Sequence, residues 1–338
     1  MAVRRPRRPT WRWRDIGLFL LFAGPNFLLL AVFSFWPLFY NAYLSLVQWD
    51  LVAPFKTFVG FDNYANLVHD PEFGQIVTNT VIFSVGSIAL TLLLGLGLAL
   101  LLHQQLRFRQ TARAIIFAPV VVSGAAIAVV WSYIFDPSYG LLRPLFVLFG
   151  LNAPHWLTDT SLALPAVIIV YVWKNVGYAL VIYLAGLQAI PKEFLEAATI
   201  DGASAGRRTS QIVIPLLSPT TFFLTVTSVL AVLQAFDIIQ VLTAGGPVKA
   251  TTTLIYDLYN QGFVAFDAGR AGADAMVLFV VMLIATVMQV RYVERRVTYE
   301  PPPRQRYSRR PAAPQPLTAA PAQCRRPVWR YPQLPQHG

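Results

Sequence analysis

Charged residues and cysteine are both scarce in this sequence. Only 13% of the residues are charged, whereas soluble globular domains usually have about 25%. A soluble domain is therefore a poor description of the chain. The single cysteine, Cys324, excludes an internal disulfide framework and a thiolate metal site, and the four histidines show no metal-ligand spacing. We expect neither a metal nor a cofactor.

Long apolar blocks are the main feature of the sequence, which is 56% hydrophobic. A helix needs about 20 mostly apolar residues to cross a hydrocarbon core of roughly 30 Å. Six blocks reach that length and a seventh does not appear, so the sequence predicts an all-α membrane protein with six transmembrane helices. The blocks run approximately over 16–40, 77–102, 114–135, 163–187, 219–243 and 274–293.

The first block follows an arginine-rich segment, as the apolar region of a secretory signal peptide does. Its apolar stretch is longer than the usual signal-peptide core, and five more blocks follow. We therefore interpret it as an uncleaved first helix, and the paired arginines before it as flanking charge rather than as a twin-arginine export signal.

Lysine and arginine are distributed unevenly among the segments between the blocks. If the N-terminus is cytoplasmic, 22 of the 27 basic residues lie on the cytoplasmic side, in the N-terminal tail, in 103–113, in 188–215 and from 291 onward. This is the positive-inside bias of membrane proteins. It predicts a multi-pass protein of the inner (cytoplasmic) cell membrane with both termini in the cytoplasm. The charge of +11 then serves orientation, and we expect no nucleic-acid partner.

The two ends of the chain differ in composition from the apolar middle. We predict a basic cytoplasmic tail over 1–15, a six-helix membrane domain over 16–300, and a disordered tail rich in Pro and Arg over 301–338. The last segment has two interpretations, a solvated basic tail near anionic lipid or a binding segment for a specific partner.

A polar segment, 191–219, interrupts the apolar blocks. Pro191 suits the first turn of a helix, and "PKEFLEAATI" has good helix formers with Phe194, Leu195 and Ala198 on one side. Gly202 can adopt the positive φ that ends a helix, and a second helix is expected to start near Ala203 or Ser204. These features predict a helix–turn–helix elbow, and by themselves they leave open whether it is an interfacial hairpin or a docking element.

The elbow does not have the pattern of a nucleotide-binding loop. Three residues separate Gly202 from Gly206, whereas the Walker A loop needs four and then Lys. The chain contains no other catalytic pattern, so we do not expect an enzyme.

The segment resembles the EAA loop of ABC importer permeases. The match consists of Glu196-Ala197-Ala198-Thr199-Ile200-Asp201-Gly202 followed by Ile212-Val213-Ile214-Pro215-Leu216. "FVGFDNYANL", "FDPSYGLL", "YLAGLQAIPKE" and "LTAGGPVKATTTLIYDLY" occur in the same order as in these permeases, so the resemblance covers roughly residues 10–300. "EAATIDGAS" is similar to the carbohydrate-uptake branch, and "GGPVKATTTLIY" is most similar to the first permease of glycerol-3-phosphate importers. Two positions depart from the family pattern. The family usually has an aromatic residue where Thr209 stands and often has Trp where Gly206 stands.

The resemblance implies a type I (MetI-like) importer fold with cytoplasmic coupling helices. It also implies three partners besides the lipid bilayer: a second homologous permease subunit, a dimer of ABC ATPases, and an extracytoplasmic substrate-binding protein. The elbow would then transmit closure of the ATPase dimer to the membrane helices. The coupling residues implied by the match are Glu196, Ala197, Ala198, Asp201, Gly202, Ala203 and Pro215.

Several polar residues fall within or beside the predicted membrane helices, where ionisable groups are often functional. Lys174 lies midway along the fourth block, while Asp237 and Asp274 lie near the ends of the fifth and sixth. Lys174 has two interpretations, a residue of the substrate path and a paired structural residue. The simplest interpretation of the two aspartates is that they lie in the hydrated (wet) interface of the membrane. The candidate path residues are Lys174, Asn175, Gln234, Asp237 and Gln240.

Two other functions are compatible with a multi-pass chain. An ion-coupled secondary transporter usually shows inverted repeats and broken helices, and neither is evident in the sequence. A membrane assembly protein without transport activity would have no use for an ATPase-docking elbow. The sequence therefore favours the importer permease, with a carbohydrate or sn-glycerol-3-phosphate as substrate.

Overall fold

The structure is a computed structural model and describes residues 13–293. The predicted basic tail up to residue 12 and the predicted disordered tail 301–338 lie outside the described residues, as does 294–300. The described part is mostly helical. Its helices are α1 (Trp13–Leu30), α2 (Trp36–Leu44), α3 (Asp62–His69), α4 (Phe73–His103), α5 (Arg109–Val121), α6 (Gly124–Ile134), α7 (Arg143–Leu148), α8 (Ala163–Ala189), α9 (Lys192–Ile200), α10 (Ala205–Arg208), α11 (Ile214–Leu216), α12 (Ser218–Leu233), α13 (Asp237–Leu242), α14 (Leu254–Tyr259) and α15 (Ala268–Met288).

Short π-helical turns and one small sheet complete the described chain. The strands β1 (Val47–Gln48) and β2 (Thr57–Phe58) form an antiparallel hairpin with Val47 opposite Phe58. The π-helical turns are Ala31–Phe35, Thr209–Val213, Asn260–Val264 and Gln289–Val293.

Four continuous helical segments between residues 13 and 293 are long and apolar enough to cross a membrane. Two further candidates are bent helix pairs, α5 with α6 at 105°, and Ala205–Leu216 with α12 at 60°. Length and composition therefore support four to six spans. The four continuous segments are Gly17–Leu44, Phe73–His103, Ala163–Ala189 and Ala268–Arg291.

The third predicted block is broken, which the sequence analysis did not anticipate. Val122 is extended, and the Ser123 hydroxyl accepts the backbone N–H of Ala126 and so starts α6 as a new helix. Pro119 lies inside α5. The expectation that broken helices are not evident was therefore wrong. The signals were Pro119 and the Ser-Gly pair at 123–124.

The fifth predicted block is also shorter than expected. The block was placed at 219–243, but α12 ends at Leu233, and α13 begins at Asp237 after a short break. The second helix of the predicted elbow instead leads through short helical turns into α12. The apolar pattern continues across the break, and for that reason periodicity alone did not reveal it.

Helix α8 is the centre of the bundle, and small residues allow its neighbours to approach closely. A Cβ added at Gly95 of α4 would lie 2.6 Å from the Cβ of Ala179, and Gly177 packs directly against the backbone of Ile116 in α5. Gly186 similarly faces Thr220 of α12. Close backbone contact of this kind is how membrane helices gain packing energy without a hydrophobic driving force.

The two ends of the bundle are distinguishable by the connections they carry. At one end, α4 and α8 finish near Leu102 and Leu187, which share an apolar cluster with Leu195 and Val213 of the elbow. We call this the elbow end. At the opposite end, α15 begins beside the hairpin, with the Ala268 N–H donating to the carbonyl of Trp49 at 2.9 Å.

The first apolar helix is nearly unpacked within the described chain. None of the most apolar window of Gly17–Leu44 is buried, and Phe22 and Phe33 are 80% and 73% exposed. Its contacts with the rest of the bundle are concentrated in α2, which packs on α15. This helix therefore presents its apolar surface to lipid or to another protein.

Candidate functional site: an elbow and a polar cavity

The first helix of the elbow is α9, which begins directly after Pro191. Pro191 was expected in the first turn, and it lies one position earlier, at the N-cap. Ala198 is buried and Leu195 is half-buried against the ends of α4 and α8, as expected. Phe194 was expected on the same side but is 42% exposed. The apolar face of α9 is therefore narrower than predicted.

The turn at Gly202 has the predicted left-handed geometry, with φ +76°. The Gly202 N–H donates to the carbonyl of Thr199 at 3.1 Å, and the Ala203 N–H donates to the carbonyl of Ala198 at 3.0 Å. These two bonds form a Schellman motif, which ends a helix and satisfies its last carbonyls. The motif sets the direction in which the chain leaves α9.

The second elbow helix begins at Ala205 and is capped by Ser204, whose hydroxyl accepts the Arg207 N–H. The Arg208 guanidinium donates to the Thr199 hydroxyl, which joins the second helix to the first. Thr199 in turn donates to the carbonyl of Leu195 at 2.7 Å. The Arg208–Thr199 bond is therefore a direct side-chain link between the two helices.

The outer surface of the elbow is open. A Cβ on Gly202 or Gly206 would meet no atom within 4 Å. Ile200 is 87% exposed and was not singled out from the sequence, although an isoleucine on the polar side of an amphipathic helix was the available signal. The structure places all seven predicted coupling residues on this elbow, and the exposed ones are Glu196, Ala197, Asp201, Gly202 and Pro215.

Two of the predicted path residues lie at the break between α5 and α6. The Lys174 ammonium donates to the carbonyl of Val120 at 3.4 Å, near the C-terminus of α5. The Asp237 carboxylate packs so closely against Gly124, at the N-terminus of α6, that no Cβ fits there. Each charge has the sign that the adjacent helix end favours. This geometry gives Lys174 a structural partner, and a role in the path stays a prediction.

Asn175 lines a small polar cavity of about 50 Å³ within the bundle. The hydroxyls of Ser87 and Thr91 are buried in the wall of this cavity and have no hydrogen-bond partner within residues 13–293. Buried hydroxyls of this kind usually have a partner, so each of these two has hydrogen-bonding capacity that the described residues do not use. The lining residues are Ser87, Ile88, Thr91, Tyr171, Asn175, Tyr178, Thr227, Ser228 and Ala231.

The hydroxyl residues of this cavity were not predicted from the sequence. Ser84, Ser87 and Thr91 follow one another at spacings of three and four along α4, which places them on one face of the helix. That polar stripe in an apolar block was the available signal. Thr227 and Ser228 come from α12, and their proximity could not be inferred without the packing.

The remaining intramembrane polar residues are dispersed. Gln234 is exposed and approaches the sulfur of Met282 at 3.7 Å, while Gln240 has a buried side-chain oxygen in α13. Asp274 has no exposed surface, so its assignment to a wet interface was wrong. Among residues 13–293, no group of His, Cys, Asp or Glu could hold a metal ion.

Comparisons with known proteins agree with this architecture. Two chains of bacterial ABC transporter crystal structures share the fold, one from a transporter involved in the import of the acidic polysaccharide alginate and one from an alginate transporter in complex with an alginate pentasaccharide-bound periplasmic protein. The first has a TM-score of 0.73 and 23% identity, over 84% of this chain and 98% of its own. The second has a TM-score of 0.75 and 22% identity, over 86% of this chain and 99% of its own. At such identities the likeness is one of fold.

Sequence relatives are closer. The chain is 39% identical to the sn-glycerol-3-phosphate transport system permease protein UgpA of Agrobacterium fabrum over 82% of this chain and 95% of that protein. It is 39% identical to the protein of the same name from Brucella abortus over 87% and 99%. The family model for the binding-protein-dependent transport system inner membrane component matches residues 91–299. This chain therefore belongs to the family of binding-protein-dependent transport system inner membrane components, which are non-catalytic permease subunits of ABC importers.

Proposed function

We propose that this permease forms half of the translocation path of an ATP-driven importer for sn-glycerol-3-phosphate. The similarity to glycerol-3-phosphate permeases over nearly their whole length is the observation that carries the substrate assignment. A carbohydrate is the second candidate, because the fold is shared with chains of an alginate transporter. Each bent helix pair counts as one span in this proposal, which makes six spans.

The elbow is the proposed contact with the ATPase. Its helices are joined by the Schellman turn and by the Arg208–Thr199 bond, so a push on the elbow moves it as one body. The buried side of α9 packs on the ends of α4 and α8, which gives that motion a route into the bundle. The exposed Glu196 and Ile200 lie on the open surface, where a partner can reach them.

The proposed orientation places the elbow end in the cytoplasm and the hairpin end outside. The positive-inside distribution supports it, since 103–113 and 188–215 carry six basic residues. Both termini are then cytoplasmic. The proposed domain boundaries remain those of the sequence analysis, with 16–300 as the membrane domain.

The polar cavity between α4, α8 and α12 is proposed to line the path, with Asn175 and the hydroxyls of Ser87 and Thr91 as hydrogen-bonding groups. Lys174 belongs to the same helix as Asn175 and would supply positive charge for a phosphate. A second permease subunit would pack against the exposed first helix and form the other half of the path. An ATPase dimer and an extracytoplasmic binding protein complete the assembly.

The test is transport by the complete importer in proteoliposomes that contain the permease, its partner permease, the ATPase and the binding protein. We expect ATP-dependent accumulation of radiolabelled sn-glycerol-3-phosphate, and none with an ATPase that cannot hydrolyse ATP. Accumulation of a disaccharide in place of the phosphate would overturn the substrate assignment alone. Accumulation of either substrate without ATP would overturn the proposed coupling.

A further inference from the structure

The hairpin that follows the first apolar helix has an ordered loop with an apolar surface. The Asp50 carboxylate accepts the backbone N–H groups of Val52 and Ala53 at 3.1 and 2.7 Å, and the Trp49 indole N–H donates to the carbonyl of Ala53 at 2.9 Å. The polar groups at the loop tip therefore bond internally. Val52 and Phe55 point away from this scaffold and are 81% and 82% exposed.

Aromatic rings hold the base of the loop against α2. The Lys56 ammonium lies 4.0 Å from the ring centroid of Trp49 and 5.0 Å from that of Tyr40, and it donates to the Tyr40 hydroxyl at 2.8 Å. The Trp49 ring stabilises the cation through its quadrupole, and the Tyr40 hydroxyl accepts a hydrogen bond from it. The loop is consequently fixed in place, and the exposure of its apolar side chains is part of its folded state.

The depth of the hairpin relative to the bilayer follows from two helix ends. The segment Gly17–Leu44, which is long enough to cross a membrane, ends three residues before β1. The last such segment begins at Ala268, whose N–H donates to the carbonyl of Trp49. The loop therefore stands at the edge of the hydrocarbon layer, whichever side of the membrane this is. In that region Trp and Tyr are enriched, and a lysine can bury its apolar stem while its ammonium stays in water.

We propose that the 49–56 loop is a membrane-interface anchor, with Val52 and Phe55 inserted into the phospholipid headgroup layer and Lys56 at the level of the phosphates. The apolar surface of the loop continues the exposed apolar surface of α2, where Trp36 and Phe39 are 67% and 68% exposed. Apolar burial together with attraction of a cation to lipid phosphate is the physical basis of interfacial binding. The anchor fixes the height of the first and last membrane helices relative to each other.

Spin labels on the complete importer in lipid nanodiscs test this depth. Cys324 is the only cysteine, so Cys324→Ser provides a background for Val52→Cys and Phe55→Cys. Asn66→Cys on α3 is the matched control, because Asn66 is an exposed polar residue on the helix beside the hairpin. For each label we measure the ratio of its collision rate with oxygen, which dissolves in lipid, to its collision rate with a water-soluble nickel complex. We expect this ratio to be severalfold higher at 52 and 55 than at 66.

Three results would overturn the anchor. Equal access of the nickel complex to all three labels would place the loop in water. Immobile labels shielded from both reagents would show that the second permease covers the loop. Labels open to nickel until the binding protein is added would identify a docking surface for that protein instead. The measurement does not depend on which substrate is transported.

Discussion

The Nε atom of Arg270 lies 3.8 Å from a carboxylate oxygen of Asp274, one turn further along α15, and Asp274 has no exposed surface. The same guanidinium is 2.9 Å from Asp70 and 4.0 Å from Asp257. Burial raises the pKa of the Asp257 carboxyl above its ordinary value, while the charges of Arg270 and Lys249 oppose that rise. One cation thus joins the start of α15 to α14 and to the turn before α4.

We expect Arg270→Met to destabilise the subunit strongly. The substitution leaves buried carboxylates without their counter-charge, and breaking such a pair costs about 3–5 kcal/mol. Lys249→Met is the matched control, because the Lys249–Glu72 pair is well exposed and exposed pairs contribute roughly 0–1 kcal/mol. Thermal unfolding of the purified complex in detergent measures both. Equal stability of the two variants would contradict the role of Arg270.

The turn of the elbow provides a matched pair of glycines. Gly202→Ala adds a Cβ at φ +76° and is expected to cost about 1–2 kcal/mol, whereas Gly206 has an ordinary helical backbone and equal space. We expect Gly202→Ala to weaken ATPase co-purification and substrate-stimulated ATP hydrolysis, with Gly206→Ala close to wild type. Glu196→Lys should act like Gly202→Ala. Wild-type docking and stimulation in both would reduce the elbow to an interfacial hairpin.

Lys174 distinguishes a path residue from a helix cap. Lys174→Met preserves the stem and removes the charge, so a path role predicts reduced uptake with normal assembly, and Lys174→Arg should retain part of the uptake. If the bond to the carbonyl of Val120 is the only role of Lys174, the Met variant should instead lower the yield of folded complex. Normal uptake by the Met variant would exclude the path role.

The orientation of the chain is testable by thiol labelling in intact cells. In the Cys324→Ser background, Asp62→Cys is expected to react with an impermeant reagent, and Ser204→Cys is expected to be protected until the membrane is opened. Both native side chains are exposed in the structure. Thr252 is unsuitable as an external site, although it lies in a loop on the same side, because it is only 3% exposed. External labelling at position 204 would reverse the topology.

Local features of the sequence predicted the elbow well. Gly202 ends α9 with a positive φ, and Ser204 starts the next helix, because caps and turns depend on residues within one or two turns of the chain. Apolar block length likewise predicted four continuous membrane-length helical segments, since the width of the hydrocarbon core sets the length of a helix. It did not reveal the breaks in the third and fifth blocks. The basic residues predicted orientation by the same kind of local count.

The sequence by itself determined that this is a helical membrane protein with a helix–turn–helix elbow after the fourth apolar block, because length, composition and turn chemistry are properties of neighbouring residues. Only the tertiary structure decided which polar residues meet. Thr91 and Thr227 line one cavity with Asn175, and Arg270 pairs with Asp70 across 200 positions. Such meetings depend on how helices distant in sequence cross and rotate against one another, and a 3.6-residue period does not specify that packing.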